Sequence, residues 1–595
     1  MLRKNIACRL SSALLWLLVV VVAPAAAQTN QFRVDYTVEV QNPEAGLFHV
    51  TADVKNIRQA ELQLSLPTWT PGWYTIENYA KNILRFTIKD TRGKRLAHTL
   101  TRKQTWQVET AGRNRIVVEF DYRADTLGLN QAKITKDFAF FTGTQLFLMA
   151  EGHRASPSSV RFVIPTAWRI ISALRETSDP FRYTAADYDT LVDSPTEMGR
   201  FDVVHFEVEG KPHYFVATPA GAFATEKAGK FTDLLAKVAV AQSAIFHGLP
   251  YEKYVYFYFF LPPESNASGA LEHQNSHVSF APPGNVAQPE NMIGTASHEF
   301  FHTWNVKRIR PAEMWPYDYA REDETPLLWV SEGFTNYYGV VGTYRAGVTT
   351  KEAFLDRAAG AISDVENNPA RNFISPAESS VSTWVGYDTP VAFGISYYVQ
   401  GQNLGALLDL SIRHDTNGRA SLDDVMRALY RDYYQRGRGF TMADMLGIIQ
   451  GLTHRDYREF FSRYVWGVDV PPYETIYGYA GYHVERVSGK TPVFGFDGRF
   501  RGGGFRVQAL QQNSPATAAG LEVGDIITKL NGSEIRRASL GGLAGQTVKL
   551  MVKRGEEEKE VTMNVGVREV LDYRLVEVAH PTTAQLLIRA GWLRR

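Results

Sequence analysis

The segment from His298 to His302 constrains the fold of this chain more than any other part of the sequence. In an α-helix, two histidines four residues apart lie next to each other on one face, because the helix repeats every 3.6 residues. Imidazoles on one helix face can share a metal ion, and Glu299 stands beside them, where its carboxylate can take a proton from water. The alternative is a pair of helix-surface histidines without a metal. We therefore predict a helix that carries a candidate metal site.

Two glutamates compete for the role of third ligand. The spacing found in thermolysin-like enzymes selects Glu322, which lies in a charged stretch without helical periodicity. Glu332 comes later, within the apolar run of residues 327–338. Burying a carboxylate without a partner is costly, so a carboxylate in such a run is expected to have a partner such as a metal. We predict that the two histidines and Glu332 bind one Zn²⁺ per chain.

The regions on either side of this helix differ in hydrophobic periodicity. The chain has 595 residues, 44% of them hydrophobic, which is too long for a single core and too apolar for disorder. From Gln28 to about residue 215, apolar and polar residues alternate, which predicts an antiparallel β domain. An aromatic turn within it, residues 67–74, either lines a substrate cleft or caps its own core. Helical periodicity dominates from about residue 291 to residue 467, after a buried strand that begins near Tyr254.

Glycines and short β-like runs return after about residue 485. Their order resembles that of a PDZ domain, in which the amides of a Phe-Gly-Phe loop receive a carboxylate and a strand edge pairs with a peptide. The alternative is a generic β-rich tail. The segments that carry this resemblance are residues 493–496, 514–516, 519–521, 524–527 and 530–532.

The first 27 residues have the order of a secretory signal peptide. Basic residues precede a short apolar run, and three alanines end at Ala27. The only cysteine, Cys8, lies in this segment, so we expect an exported protein without disulfides, located in the bacterial periplasm and without a membrane span in its mature form. The 64 Lys and Arg nearly balance the 63 Asp and Glu, which gives no electrostatic footprint for nucleic acid.

Residues 298–311 and 329–338 together resemble the glycyl aminopeptidase family of gluzincins, which is related to aminopeptidase N. The resemblance implies a multidomain α+β protein with a thermolysin-like zinc peptidase domain that continues into a helical region. The predicted parts are a signal peptide (1–27), an N-terminal β domain (28–215), the catalytic domain (216–345), its helical part (346–480), a PDZ domain (485–570) and a C-terminal tail (571–595).

An aminopeptidase must also hold the free amine of its substrate. The segment Gly269 to His273 resembles the Gly-Ala-Met-Glu-Asn signature of aminopeptidase N. The likeness implies that Glu272 pairs with the α-ammonium group, and that Gly269 and Ala270 offer backbone groups to the peptide. His273 stands where the signature has Asn, which is a departure in the amine site.

A second likeness concerns the donor to the oxyanion of the tetrahedral intermediate. Residues 398–401 resemble the segment that carries this tyrosine in aminopeptidase N, which selects Tyr398, with Tyr397 as the alternative. Asn336 follows Glu332 by one helical turn and is a candidate to orient a ligand histidine.

The predicted function is zinc-dependent hydrolysis of N-terminal peptide bonds, with Glu299 as general base. The family resemblance implies a preference for N-terminal Gly or Ala, peptide substrates with a free N-terminus and a C-terminal peptide ligand at the PDZ groove. Two alternatives stay open. One is a zinc endopeptidase guided by its PDZ domain, and the other is a catalytically silent envelope adaptor.

Overall fold

The structure, a computed structural model, describes residues 31–262, 269–385, 396–501 and 503–594. The predicted signal peptide and Cys8 lie outside the described residues. Within the described ranges, no helix has both the length and the hydropathy that a bilayer crossing requires.

The N-terminal region is built from short strands, as its alternating pattern predicts. Val34, Tyr36 and Val38 are buried while their neighbours along the strand are less so. The elements are β1 (Arg33–Glu39), β2 (Leu47–Lys55), β3 (Glu61–Ser65), β4 (Ile83–Asp90), β5 (His98–Arg102), β6 (Thr105–Glu109), β7 (Arg115–Arg123), β8 (Lys133–Ile134), β9 (Phe138–Phe141), α1 (Gly143–Leu146), β10 (Met149–Ala150), β11 (Ser158–Val163), β12 (Arg169–Ser172), β13 (Arg175–Glu176), β14 (Arg182–Ala185), α2 (Tyr188–Val192) and β15 (Thr196–Gly199).

These strands form three sheets. Their orders are β13-β14-β11-β1-β2-β7-β4, β10-β3-β6-β5 and β12-β15-β9-β8. The pairing is antiparallel as predicted, except that β1 and β11 run parallel.

A fourth sheet belongs to the catalytic region. Its order is β16-β17-β18-β20-β19, so β19 is an edge strand. The predicted domain boundary at residue 215 falls inside β17, because period-two alternation continues from one sheet into the next and does not mark where the first sheet ends. The elements are β16 (Asp202–Val208), β17 (Lys211–Thr218), α3 (Thr225–Phe246), β18 (Tyr254–Phe260), β19 (Gly269–His273) and β20 (Ser276–Ala281).

Two buried histidines in this sheet are expected to make the folded protein less stable in acid. Burial lowers the pKa of both His213 and His277 to about 3. The unfolded chain takes up protons below pH ~6.5 and the folded chain does not, so each histidine removes about 1.4 kcal/mol of stability per pH unit on acidification from ~6.5 towards ~3. We expect His277→Asn to reduce the pH slope of the unfolding free energy by one proton, measured by urea unfolding between pH ~7 and ~5. An unchanged slope would contradict the assignment.

Helices follow this sheet and place the site residues. Two of them approach each other closely at Gly333 and Gly401, where a Cβ on Gly333 would lie 2.3 Å from the Cα of Gly401. The helices are α4 (Ile293–Phe301), α5 (Leu328–Ser331), α6 (Gly333–Arg345), α7 (Lys351–Glu366), α8 (Pro376–Val381), α9 (Tyr397–Asp415), α10 (Leu422–Asp432), α11 (Met442–Thr453), α12 (Arg458–Tyr464) and α13 (Tyr473–Gly478).

The C-terminal region contains a small β domain on a two-stranded ribbon. The ribbon pairs β21 with β28, and the domain's sheet has the order β22-β23-β24-β26-β27, with β25 beside β24. The elements are β21 (Tyr482–Val493), β22 (Phe496–Arg501), β23 (Gly504–Leu510), α14 (Pro515–Ala518), β24 (Ile526–Leu530), β25 (Ser533–Glu534), β26 (Thr547–Arg554), β27 (Glu557–Asn564), β28 (Gly566–Glu577) and α15 (Thr583–Trp592).

The structure differs from the prediction that residues 571–595 form a C-terminal tail. Its first residue lies inside β28, and α15 packs back onto the helical region. Trp592 is buried, and its indole nitrogen donates to the Tyr337 hydroxyl over 3.1 Å. The sequence pattern around this short amphipathic helix shows an apolar face but not the distant surface that covers it.

Candidate active site

The two histidines and Glu332 meet at the end of α4. His298 lies in the last turn of the helix and His302 caps it. Their Nε2 atoms are 3.0 Å apart, and Glu332 Oε2 lies 3.5 Å from that of His298 and 3.2 Å from that of His302. Glu332 stands between α5 and α6 with 1% of its side chain exposed.

This triangle of atoms fits a zinc ion. Ligands placed tetrahedrally about 2.0–2.1 Å from zinc are about 3.3–3.4 Å from one another. His302 Nδ1 donates to the carbonyl of Asn305 over 2.6 Å, which turns its Nε2 towards the other two ligands. Oε2 of Glu332 has no hydrogen-bond partner within the described ranges, as expected for an atom reserved for a metal.

The charges of these groups also favour a cation. Burial by itself lowers the pKa of His302, but the carboxylates of Glu332 and Glu272 raise it to about 9. Burial would raise the pKa of Glu332, whereas the neighbouring histidines lower it to about 2. These shifts favour a proton on the cluster at neutral pH, and a metal ion held by the same three groups would replace that proton.

Glu322 does not reach this cluster. It is exposed in an irregular segment, while Glu332 is buried beside both histidines. Asn336, the candidate to orient a ligand histidine, does not do so: His302 Nδ1 is bonded to Asn305, and His298 Nδ1 has no partner in the described part of the chain. A backbone carbonyl in the turn after α4 takes the role that we predicted for a side-chain amide.

Glu299 lies on the inner side of α4, close to a second carboxylate. Three side-chain atoms, one nitrogen or oxygen from each of Glu272, Glu299 and His302, lie within 4.8 Å of one another. Burial raises the pKa of Glu299 well above its usual value, and the charges of Glu272 and Glu332 raise it further, against the effect of His302. A carboxylate with a raised pKa is suited to accept and return a proton near neutral pH.

Glu272 belongs to the edge strand β19 and is 3% exposed. Gly269 and Ala270 begin the same strand, and β20 is its only neighbour in the sheet within the described ranges. Within the described ranges the outer edge of β19 pairs with no other strand, which makes it a candidate edge for an extended peptide that ends near Glu272. His273 points elsewhere, because its Nδ1 bonds to Asp193 over 2.9 Å.

The two candidate tyrosines at the start of α9 differ in their surroundings. The ring of Tyr398 lies beside that of His298, with 6.1 Å between centroids. The hydroxyl of Tyr397 is 3.1 Å from that of Thr383. The ring of Tyr398 thus lies next to a predicted zinc ligand, which favours Tyr398 as the candidate oxyanion donor.

The aromatic turn of residues 67–74 lines the site. The Tyr74 hydroxyl lies 3.4 Å from Glu332 Oε1, and a Cβ on Gly72 would lie 2.5 Å from an oxygen of Glu272. Lys307 donates to the carbonyl of Pro71 over 2.9 Å. Sequence reasoning left the role of this turn open and missed Tyr74, Gly72 and Lys307. One available signal was a lysine within the apolar and aromatic stretch that follows His302.

A helix-borne His-Glu-x-x-His site with a buried glutamate, set between a β domain and a helical region, defines a zinc metallopeptidase. The sequence matches the M61 peptidase N-terminal domain over residues 35–200, M61 glycyl aminopeptidase over residues 291–404 and a PDZ domain over residues 481–565. The chain thus combines the N-terminal and glycyl aminopeptidase domains of the M61 family with a PDZ domain, and these matches support a zinc aminopeptidase. The comparisons thus confirm three predictions from the sequence: the resemblance to the glycyl aminopeptidase family, the fold class and the PDZ domain.

Solved structures resemble this chain at low sequence identity. An aminopeptidase N family protein from Idiomarina loihiensis has a TM-score of 0.79 and 22% identity, over 94% of this chain and 100% of that chain. An M1 zinc metallopeptidase from Deinococcus radiodurans has a TM-score of 0.47 and 16% identity, over 74% of this chain and 94% of that chain. The first likeness supports the fold. No curated protein matches the chain at a significant level.

Proposed function

We propose that this aminopeptidase releases N-terminal residues, with a preference for Gly or Ala, from peptides whose α-ammonium group pairs with Glu272. The observation that carries the proposal is the position of the Glu272 carboxylate, which is buried within 4.8 Å of Glu299 and of the candidate ligand His302. An α-ammonium group held there places the N-terminus of the peptide at the reacting centre, so only the first peptide bond is cleaved.

Four sets of residues have separate roles in the proposed reaction. His298, His302 and Glu332 would hold one zinc ion, which when bound supplies a Lewis acid that makes water acidic and polarises a carbonyl. Glu299 takes the proton of the attacking water and returns it to the leaving amine. The Tyr398 hydroxyl donates to the developing oxyanion. The edge of β19 at Gly269 and Ala270 aligns the substrate backbone.

The preference for small residues is supported by the aromatic surroundings of the site. Tyr74 is buried and packs edge to face against Trp384, with ring centroids 5.7 Å apart. Trp69 packs edge to face against the same indole, with ring centroids 5.1 Å apart. Tyr74, which packs against Trp384, lies beside the predicted ligand Glu332, and this bulk favours substrates whose first side chain is absent or a methyl group.

A panel of aminoacyl arylamides tests this proposal. We expect kcat/KM for glycyl and alanyl arylamides to exceed that for leucyl and phenylalanyl arylamides by at least about tenfold, which is the discrimination a few methylenes provide. Treatment with a chelator should abolish turnover and addition of Zn²⁺ should restore it, with one zinc per chain by metal analysis. Equal rates across the panel would remove the Gly and Ala preference, and turnover that survives complete metal removal would contradict the zinc mechanism.

We also propose that the PDZ domain binds the C-terminal carboxylate of a peptide and that the protein works in the periplasm. The first proposal is supported by Gly495, which adopts a left-handed φ of 79° between Phe494 and Phe496, where backbone amides of a carboxylate-binding loop are expected. The second is supported by the order of charged, apolar and small residues before Gln28.

A further inference from the structure

Lys307 is a buried cation next to the amine site. Its side chain is inaccessible to solvent, and its Nζ lies 3.1 Å from Asp193 Oδ1 and 2.9 Å from the carbonyl oxygen of Pro71. Burial lowers the pKa of Lys307, but the charges of Asp193 and Glu272 outweigh this effect and raise it. A charge kept in such a place needs partners of opposite sign, and here it has two carboxylates.

Asp193 fixes the end of the strand that carries Glu272. Its Oδ1 accepts from His273 Nδ1 over 2.9 Å, and its Oδ2 accepts from the backbone amide of Gln274 over 2.8 Å. The two residues that follow Glu272 are thus tied to the carboxylate that also holds Lys307.

Glu272 is enclosed, and one of its carboxylate oxygens is buried without a hydrogen-bond partner among the described residues. Its Oε1 lies 3.8 Å from Lys307 Nζ, beyond hydrogen-bond length, and has no hydrogen-bond partner among the described residues. Gly72 closes another side, because a Cβ there would lie 2.5 Å and 2.6 Å from the two carboxylate oxygens. Asp193 and Pro71 hold the Lys307 ammonium just far enough away to balance charge without occupying this oxygen.

We propose that Lys307 is a positioning residue for amine recognition: anchored by Asp193 and Pro71, it sets the Glu272 carboxylate against Gly72 and leaves Oε1 unpaired for the substrate's α-ammonium group. The inference rests on the proposed role of Glu272. It links the N-terminal β domain to the choice of substrate, since Pro71 and Gly72 both come from the aromatic turn.

A pair of inhibitors that differ by one amine isolates this role. Glycine hydroxamate and acetohydroxamate share the same zinc-binding group, and only the first has an amine. The ratio of their dissociation constants therefore measures amine recognition and is insensitive to damage elsewhere. Calorimetric titration of the zinc-loaded full chain at pH ~7 gives this ratio for the wild type, for Lys307→Met and for the matched control Lys253→Met, which removes another buried lysine, paired with Glu176.

We expect the wild type and Lys253→Met to bind glycine hydroxamate at least about tenfold more tightly than acetohydroxamate. Lys307→Met should lower this ratio at least about fivefold while zinc content and acetohydroxamate affinity stay unchanged. If the wild type discriminates and Lys307→Met retains the full ratio, the inference is overturned while the proposed function stands. If the wild type does not discriminate, the amine role of Glu272 fails and the inference fails with it.

A second variant covers the case in which Lys307→Met does not fold. Asp193→Asn keeps the shape of the side chain but removes the charge that holds Lys307 away from Glu272. The ratio should then fall at least about threefold, because the ammonium moves onto the free carboxylate oxygen. An unchanged ratio in a folded, zinc-loaded Asp193→Asn variant would overturn the inference.

Discussion

Glu299→Gln is expected to lower kcat/KM for a glycyl arylamide by about 10³-fold, within the range that general acid–base catalysis contributes. The amide keeps the shape of the side chain but cannot accept the proton of the attacking water. The two histidines and Glu332 are unchanged, so the variant should still bind zinc. Steady-state kinetics together with metal analysis of the same sample measure both quantities.

Glu322→Gln is the matched control for this prediction. It makes the same chemical change in an exposed carboxylate of an irregular segment, and we expect activity and zinc content like those of the wild type. A Glu299→Gln variant with full zinc and more than about a tenth of wild-type activity would show that another group acts as the base.

Glu272→Gln is expected to lower kcat/KM for free-amine substrates by about 10²-fold, mainly through KM. The change removes a charged hydrogen-bond acceptor from a buried site, which corresponds to roughly 3 kcal/mol. Zinc content should not change, because Glu272 lies outside the triangle formed by the predicted ligands. The measurement is KM and kcat for glycyl arylamide.

An N-acetylated glycyl arylamide gives the control for this variant. Any slow hydrolysis of the blocked substrate should be equal in the wild type and in Glu272→Gln, since the acetyl group offers no cation. A variant that kept full activity on the free amine would remove Glu272 from the amine site.

The part of the site that depends on neighbouring residues in the chain was predictable from the sequence. The spacing of His298 and His302 fixes two rings on one helix face whatever surrounds the helix. The preference for Glu332 over Glu322 followed from the apolar residues around Glu332, and the structure places Glu332 beside both rings. The β and helical regions followed from periodicity, because apolar spacing differs between strands and helices. The thermolysin-like fold class followed from the family resemblance.

The rest of the site depends on contacts between distant parts of the chain. Tyr74 and Gly72 come from the N-terminal β domain, and their approach to Glu332 and Glu272 results from packing of one domain on another. The boundary at residue 215 was obscured for a related reason, since two sheets that share one alternating pattern meet there. The backbone partner of His302 was missed because a carbonyl has no sequence signature.

The central claim is that this protein cleaves only next to a free N-terminus. The most direct measurement is the ratio of kcat/KM for glycyl arylamide to that for its N-acetylated counterpart, with the zinc-loaded wild type. We expect a ratio of at least about 10², because the blocked substrate leaves the buried carboxylate of Glu272 without its cation. Comparable rates, or efficient cleavage inside an N-blocked peptide, would contradict the account and indicate a zinc endopeptidase.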